Sequence, residues 1–426
     1  MSLAYNIVLS AARTALIAAT AVAPDESRAK TVRFGRGQIG CLDALSKAAA
    51  RIDRSRPVVW IHSASLGEFA IARPLIRELK ERMDCVIVVT FFSPTGYEAL
   101  QRRPMEEVDA VLYLPLDTAS NASRFLDEIR PACAVFMVSE FWHNYLAQLA
   151  AREIPTFLVS AIIRDDSPFF KWYGGIYRKS ILTYRHIFAL DSHSVDNLGR
   201  LGQTRCSLNG DPLFDNATLM ADTQWSDPLI ETFKAGKPMF VAGSIHDDED
   251  LDMVCALANR NEDTKFVIVP HEISDEIISK LRTRLDGRAV LYSEASQYSG
   301  KDLEEAQVLI IDFVGALAYI YRYATWAYVG GGFTPLLHSV IEPVVYGVPV
   351  AFGPCIHRKV TPRELIELGI GCMVTTADEL ESWFGRLRSD RSALDYIAKK
   401  AKKYVSRNVG ATTRVADAII SSLSNA

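Results

Sequence analysis

The sequence predicts an α/β protein of two domains, each carrying a doubly wound parallel sheet. Three observations lead there. From residue 57 onward, short continuous runs of Val, Ile, Leu and Phe alternate with amphipathic stretches. Uninterrupted apolar runs of strand length mark strands covered on both faces, the condition of a parallel sheet. The alternation occurs twice, separated at 209–238 by a stretch holding Asp211-Pro212, Asp227-Pro228 and Gly236-Lys237-Pro238, residues that interrupt regular structure. The length, 426 residues with 49% hydrophobic side chains, suits two or three domains with cores of their own.

The elements follow in order. Residues 1–23, MSLAYNIVLSAARTALIAATAVA, are largely apolar, with Asn6 and Arg13 inside. A spanning helix needs roughly 20 apolar residues, and an arginine near its middle is costly in a bilayer. The segment reads as a membrane-associated helix; a buried helix and a cleaved signal peptide (A-T-A-V-A resembles a small-residue cleavage site) are the alternatives. Lys30, Arg33 and Arg36 follow and suit a helix end on anionic lipid at a cytoplasmic face. Strands are expected at 58–61, 85–90, 111–114, 133–137, 157–159 and 187–190, with helical spacing at 73–82 and 119–129. A second set is expected at 239–242, 266–269, 308–311, 326–329 and 348–351, then helices alone over 390–424. This is the rhythm of βαβ units. Two such domains joined by one linker make a cleft, a favoured place for a ligand.

Composition narrows the function. A formal charge of −4, with no long block of Lys or Arg, argues against nucleic acid. The seven cysteines, at 41, 85, 133, 206, 255, 355 and 372, include no C-x-x-C pair and mostly sit in apolar contexts. They read as reduced core thiols of a cytosolic compartment. No H-E-x-x-H and no loop D-x-D pair is present, and the histidines are dispersed; no metal site is expected.

The richest stretch is WIHSASLGEFAIARP, 60–74. A strand runs into a small-residue turn that delivers Gly67 and Glu68 as a helix begins. A carboxylate there sits at the mouth of an open α/β sheet, where ligands bind, and Glu68 is a candidate general base. The strand at 133–137 ends in Ser139-Glu140-Phe141-Trp142, a second carboxylate beside aromatics. TFFSPTG, 90–96, is a third strand-end loop, for which Ser93 and Thr95 have capping as the structural alternative.

In the second domain, 239–242 runs into Gly243-Ser244-Ile245-His246 and then Asp247, Asp248, Glu249 and Asp250. Small residues and free N–H groups at a helix start suit a phosphate at Ser244; the acidic run also complements the helix dipole. His271 follows the next strand and is either a ligand for base or phosphate or a solvated loop histidine. Gly330, Gly331 and Gly332 let a chain or a ligand come close. His338 then precedes Glu342-Pro343 by four residues. Glu342, at a helix start, is placed to accept from ribose hydroxyls or else caps the helix.

These pieces together resemble one family. WIHSASLGEFAIARPLI (60–76), TFFSPTGYE (90–98), YLPLDTASNASRFLDEIRP (113–131), SEFWHN (139–144), GDPLFD (210–215), GSIHDDED (243–250), YVGGGF (328–333), LLHSVIEPVVYGVPVAFGP (336–354) and TPRELIELG (361–369) are similar, in the same order, to the 3-deoxy-D-manno-octulosonic acid (Kdo) transferases of lipopolysaccharide assembly, glycosyltransferase family 30. The chain departs from the commoner pattern at Val138–His143, where members often read E-T-E-L-W-P, and at Pro270-His271-Glu272, where they often carry R-H-P.

The resemblance implies a GT-B architecture: a membrane-associated helix at 1–30, an acceptor-binding Rossmann-like domain at 31–215, a linker at 216–238, a donor-binding Rossmann-like domain at 239–389, and C-terminal helices at 390–426 packing back toward the first domain. It implies CMP-Kdo as donor, a lipid A precursor (lipid IVA) as acceptor, residence at the cytoplasmic face of the inner membrane, no cofactor, no metal in the transfer, and no obligate protein partner. Glu68 and Glu140 are then the catalytic candidates. Ser244, His246, His271, Gly330, Gly331, Gly332, His338 and Glu342 are the donor-binding candidates, and Ser65, Gly67, Thr95 and Trp142 the acceptor-binding ones. The expected chemistry is inverting transfer, with phosphate charge met by backbone N–H groups near Ser244 and Gly331. The alternatives are a sugar-nucleotide 2-epimerase of the same fold and a non-catalytic, membrane-docked nucleotide-binding protein.

Overall fold

A computed structural model of the chain describes residues 2–21, 30–357 and 359–424. The chain forms two units, Met1–Asp215 with Asn408–Ala426, and Asn216–Arg407.

The first unit holds β1 (Val58–Ser63), β2 (Val86–Phe91), β3 (Ala110–Tyr113), β4 (Cys133–Met137), β5 (Thr156–Ala161), β6 (His186–Ala189) and β7 (Cys206–Leu208), in the order β3-β2-β1-β4-β5-β6-β7. Every pairing is parallel. All six residues of β1 are buried. Because successive side chains point to opposite faces, Val58 and Trp60 pack with Phe125 and Tyr145 on one side. Val59 and Ile61 pack on the other with Phe69, Leu75, Leu79 and Ile419. Two covered faces are why β1 reads as a continuous apolar run. Strand order reverses between β1 and β4, so the crossovers leaving these neighbours diverge and open a crevice at their carboxyl ends.

The second unit repeats the plan with β8 (Met239–Ile245), β9 (Lys265–Pro270), β10 (Ala289–Leu291), β11 (Val308–Ile310), β12 (Trp326–Val329), β13 (Val350–Phe352) and β14 (Gly371–Met373). Their order is β10-β11-β9-β8-β12-β13-β14, again parallel, and the reversal falls between β8 and β12.

The structure differs from the sequence expectations in three places. β7, β10 and β14 were not expected; each is three residues long and lies at a sheet edge. Residues 216–238 are not a bare linker: they complete the helix Pro212–Asp222 and contain the helix Pro228–Lys234, N-capped by Asp227. Of the C-terminal helices, Arg391–Asn408 belongs, but for its last residue, to the second unit, and Ala411–Ser424 to the first. All seven cysteines are free thiols.

The N-terminal helix, Ser2–Ala21, lies on the first unit. Two of its polar residues dock on the protein: the Tyr5 hydroxyl donates to Asp117 Oδ2 at 2.8 Å, and Asn144 Nδ2 donates to Asn6 Oδ1 at 2.9 Å. Ile7 and Val8 are exposed, as are Ala11, Ala12, Ala15, Ala18 and Ala19. Among the described residues no helix is long and apolar enough to cross a membrane. Arg33, expected to face lipid, instead forks onto Glu98 from the helix Lys30–Ile39. The side chains of Arg13 and Lys30, and the end of the 1–23 segment with its cleavage-like residues, lie outside the described residues.

Where the chain re-enters the first unit, the Asp215 carboxylate accepts the N–H groups of Gly410 and Thr412, the latter at 2.7 Å. Asp215→Ala strands both donors. It is expected to lower stability by about 2–3 kcal/mol, read as a lower denaturant midpoint at unchanged slope.

Candidate active site

In the first unit the site begins where β1 stops. Ser65, in extended conformation, caps the helix Leu66–Arg82: its Oγ accepts the Glu68 N–H at 3.4 Å, and Glu68 Oε2 folds back to accept the N–H groups of Ala64 and Ser65. This is a capping box, so Glu68 and Ser65 each have a structural task as well. Glu68 is half-buried. Its carboxyl is pushed up to about 7, first by burial and then by the negative charge of Glu140, against the pull of the two backbone donors.

Glu140 arrives from across the reversal. β4 is followed by Val138, a β-branched residue with φ +65°, a conformation that costs on the order of 1–3 kcal/mol and persists only where its surroundings impose it. The turn carries Glu140 to within 3.3 Å of His62 Nε2. Trp142 Nε1–H donates to Glu140 Oε2, and the Tyr184 hydroxyl donates to the Glu140 carbonyl.

His62, on β1, is fully buried. Trp60 Nε1–H donates to Thr90 Oγ1 at 2.8 Å, which frees the Thr90 hydroxyl proton for His62 Nδ1, 2.9 Å away. The network thereby assigns the ring proton to Nε2, facing Glu140. His62 was quoted in the 60–76 motif but not chosen as a site residue. The signal for it was a histidine inside an otherwise apolar strand, where a buried polar group needs partners.

The acceptor-side candidates gather here in part. Trp142 is half-buried, with its ring 5.0 Å from Phe92 and 5.7 Å from His62. Thr95 Oγ1 shares a 2.8 Å hydrogen bond with Ser93 Oγ at the start of the helix Pro94–Arg102. Gly67 is exposed in the first turn of the Glu68 helix. A hollow of about 390 Å³ lined by Lys47, Arg51, Val86 and Ala110 opens at the amino ends of β2 and β3, the opposite edge of the sheet.

In the second unit the strand ends at the β8/β12 reversal carry the donor-side candidates. Ser244 bulges out of β8 with φ +54°. It lines a cavity of about 300 Å³ with Gly315, Tyr321, His338, Ser339 and Glu342. The charge of Glu342 acts on the buried Tyr321 hydroxyl. His246, His271 and His338, dispersed in sequence, converge: one ring nitrogen from each lies within 4.8 Å of the others. His338 is pushed down to about 4 by burial, by its two histidine neighbours and by Lys359, which keeps it a neutral imidazole.

The glycines have a different role from the one expected. Asp250 is buried; its Oδ2 accepts the N–H groups of Gly331 at 2.7 Å and His246 at 3.0 Å, while Tyr328 donates to Oδ1 at 2.6 Å. The Gly331 N–H is therefore committed within the protein and is not offered to a phosphate. A Cβ on Gly330 would stand 2.3 Å from the Ser244 carbonyl oxygen, and one on Gly332 2.5 Å from the Gly353 nitrogen. The glycines admit neighbouring chain. Asp247 caps the helix Asp248–Arg260, and Asp248 pairs with Arg284 and Lys280, so the acidic run serves its own helix.

Comparison with known families matches residues 33–216 to the 3-deoxy-D-manno-octulosonic-acid transferase (kdotransferase) family. Over that span and beyond it the chain is similar to the Kdo transferases. Curated relatives include the 3-deoxy-D-manno-octulosonic acid transferases of Haemophilus influenzae, 28% identical over 84% of this chain and 86% of that one, and of Bordetella pertussis, 26% identical over 85% and 86%. Among solved structures, a UDP-GlcNAc 2-epimerase from Neisseria meningitidis has a TM-score of 0.59 at 13% identity, covering 87% of this chain and 100% of that one. MurG from Acinetobacter baumannii has a TM-score of 0.52 at 12% identity, covering 86% and 99%. These likenesses establish the two-domain GT-B fold. At such identities they carry no activity, and the epimerase alternative gains nothing from them.

A base must be ionised to work, so transfer is expected to rise with pH through about 7, the value to which Glu68 is pushed. Glu140→Gln removes the like charge but not the burial. The acidic limb of kcat/KM should move to lower pH, yet stay above the ordinary carboxylate range. An unmoved limb would assign it to another group.

Proposed function

We propose that the protein transfers Kdo from CMP-Kdo to a sugar hydroxyl of a lipid A precursor, with Glu68 as general base. The observation that carries this is a carboxylate at the β1/β4 reversal whose environment raises it to about 7, the range in which a base accepts a proton and still exists ionised near neutrality. A sugar hydroxyl is a weak nucleophile until its proton is taken during attack. Its oxygen then attacks the anomeric carbon, the bond to the CMP phosphate breaks, and the centre inverts. Glu140 keeps Glu68 basic through its charge, while His62 and Trp142 hold Glu140.

The leaving phosphate is met without a metal. His246, His271 and His338 donate ring N–H groups, and Lys359 supplies positive charge nearby. Glu342 and Ser244 line the cavity that takes the nucleotide, with Glu342 accepting from ribose hydroxyls. Such preorganised donors act on charge as it develops.

Glu68→Gln separates base from cap. The amide oxygen still accepts the Ala64 N–H, but the side chain takes no proton. Transfer from CMP-Kdo should fall by 10²-fold or more, on the order expected for losing a general base, with chelator present throughout. The pH dependence of stability gives a second readout. A carboxyl raised in the folded state stabilises it below about 4.5 and loses that contribution as pH rises through about 7. The Gln variant should lack this decline. Wild-type turnover by Glu68→Gln would sink the assignment.

We assign the protein to the cytoplasmic face of the inner membrane through the outer side of Ser2–Ala21. Ile7 and Val8 are 60% and 65% exposed, and Trp172, in the loop before the helix Gly175–Ile181, is 93% exposed beside Lys171. Ser180 of that helix bonds His143, against which Tyr5 packs. Burying a β-branched apolar side chain contributes about 1.5–3 kcal/mol. The double change Ile7→Glu, Val8→Glu should therefore weaken sedimentation with anionic vesicles at least tenfold; unchanged partitioning would refute the anchor.

A further inference from the structure

Three histidines sit at or beyond the ends of three neighbouring strands. His246 follows β8, His271 follows β9 and His338 lies beyond β12, and sheet order places β9, β8 and β12 side by side. Parallel strands in register end along one edge, so residues 25 and more apart in sequence meet there. The rings lie 4.3–6.0 Å apart between centroids. His338 Nε2 is buried with no hydrogen-bond partner. An orphaned nitrogen at such a cluster calls for an occupant.

We propose that His246, His271 and His338 form a site for a divalent transition metal of the zinc class. Zinc–nitrogen bonds of about 2.0–2.1 Å set ligand nitrogens roughly 3.3 Å apart in a tetrahedron. The three nitrogens, within 4.8 Å of one another, must close by at most about 1.5 Å. His271 is exposed and His246 half-buried, so both can move toward His338 by side-chain rotation. An all-imidazole set suits Zn²⁺, Cu²⁺ or Ni²⁺ and not Mg²⁺ or Ca²⁺, which prefer oxygen. Three protein ligands leave a fourth position open, and His338 also lines the Ser244–Glu342 cavity.

This has a consequence that rests on the donor assignment made above. Imidazoles holding the ion are no longer available to the donor phosphate, so metal and CMP exclude one another and the ion inhibits transfer. The transfer itself still proceeds without metal.

The test is equilibrium binding of Zn²⁺ to the metal-stripped full chain, with Co²⁺ as a spectroscopic probe. One ion per chain is expected, with the intense visible bands of a tetrahedral Co²⁺ site. Affinity should fall at least tenfold in His271→Ala and in His338→Ala, whose thermal melts verify folding. Equal binding by wild type and both variants, or octahedral Co²⁺ spectra throughout, would overturn the site. Excess CMP should weaken Zn²⁺ binding several-fold. Metal binding lost in the variants but indifferent to CMP would leave the metal site standing and overturn the shared occupancy, and with it the place of these histidines in donor binding.

Discussion

A carboxylate serves as a base only while its charge is held between two extremes. Fully hydrated, it titrates near 4.5 and takes protons poorly at neutral pH; fully buried and unsupported, it stays protonated. Glu68 is kept between these limits by opposed forces. Burial and the charge of Glu140 raise its carboxyl, and two backbone N–H groups at the head of its own helix lower it. The rest of the first unit is arranged to make those forces coincide. A parallel sheet brings β1 and β4 side by side, the order reversal leaves their carboxyl ends uncovered, and the strained turn at Val138 carries the second carboxylate across. The Trp142 indole N–H then holds the Glu140 carboxylate beside His62.

The second unit contains the same local device put to another use. Asp250 accepts the N–H of His246 four residues back, as Glu68 accepts that of Ala64. Both sit in the helix that follows the first strand of their sheet. The difference lies in saturation. Asp250 is buried and also takes the Gly331 N–H and the Tyr328 hydroxyl, so both of its oxygens are engaged in holding β8 and β12 together. Glu68 takes its two backbone bonds on Oε2 and stays half-exposed. Two acidic residues at equivalent places in the fold thus differ in how far their neighbours saturate them.

Much of this was legible in the sequence, for physical reasons that also explain the gaps. Strands covered on both faces announce themselves as unbroken apolar runs, which is why β1, β4, β8 and β12, the strands that bear the site, were all expected. β7, β10 and β14 are three-residue edge strands; too short for a run, they are defined by pairing with one neighbour. Glu68 was readable because its position depends on a local turn and cap. The histidine cluster was not, since 246, 271 and 338 obey no ligand spacing and meet only through the order β9-β8-β12. The Gly330–Gly332 run was read as room for a chain or a ligand, and the neighbours a Cβ would meet there are chain, because sequence shows that a backbone comes close to something without showing to what. Arg33 misled for a similar reason: a cation after an apolar segment looks aimed at lipid until its partner, Glu98, 65 residues away, is known.

The N-terminal helix shows how a polar residue in an apolar segment should be weighed. In a bilayer, Asn6 and the Tyr5 hydroxyl would be a cost. Here they are the residues that dock the helix, and Asp117, buried and itself raised to about 6, also accepts the backbone N–H groups of Asn144 and Tyr145. Leu9, Leu16 and Ile17 are partly covered, as the apolar stripe of a surface helix is. Tyr5 and Asn6 are partly covered too, while Ile7, Val8, Ala11, Ala12, Ala15, Ala18 and Ala19 are left outside with Ser10 and Thr14. Such a face is stable in water only at the expense of exposed apolar area, and a lipid surface is the environment that removes the expense without asking the helix to span it.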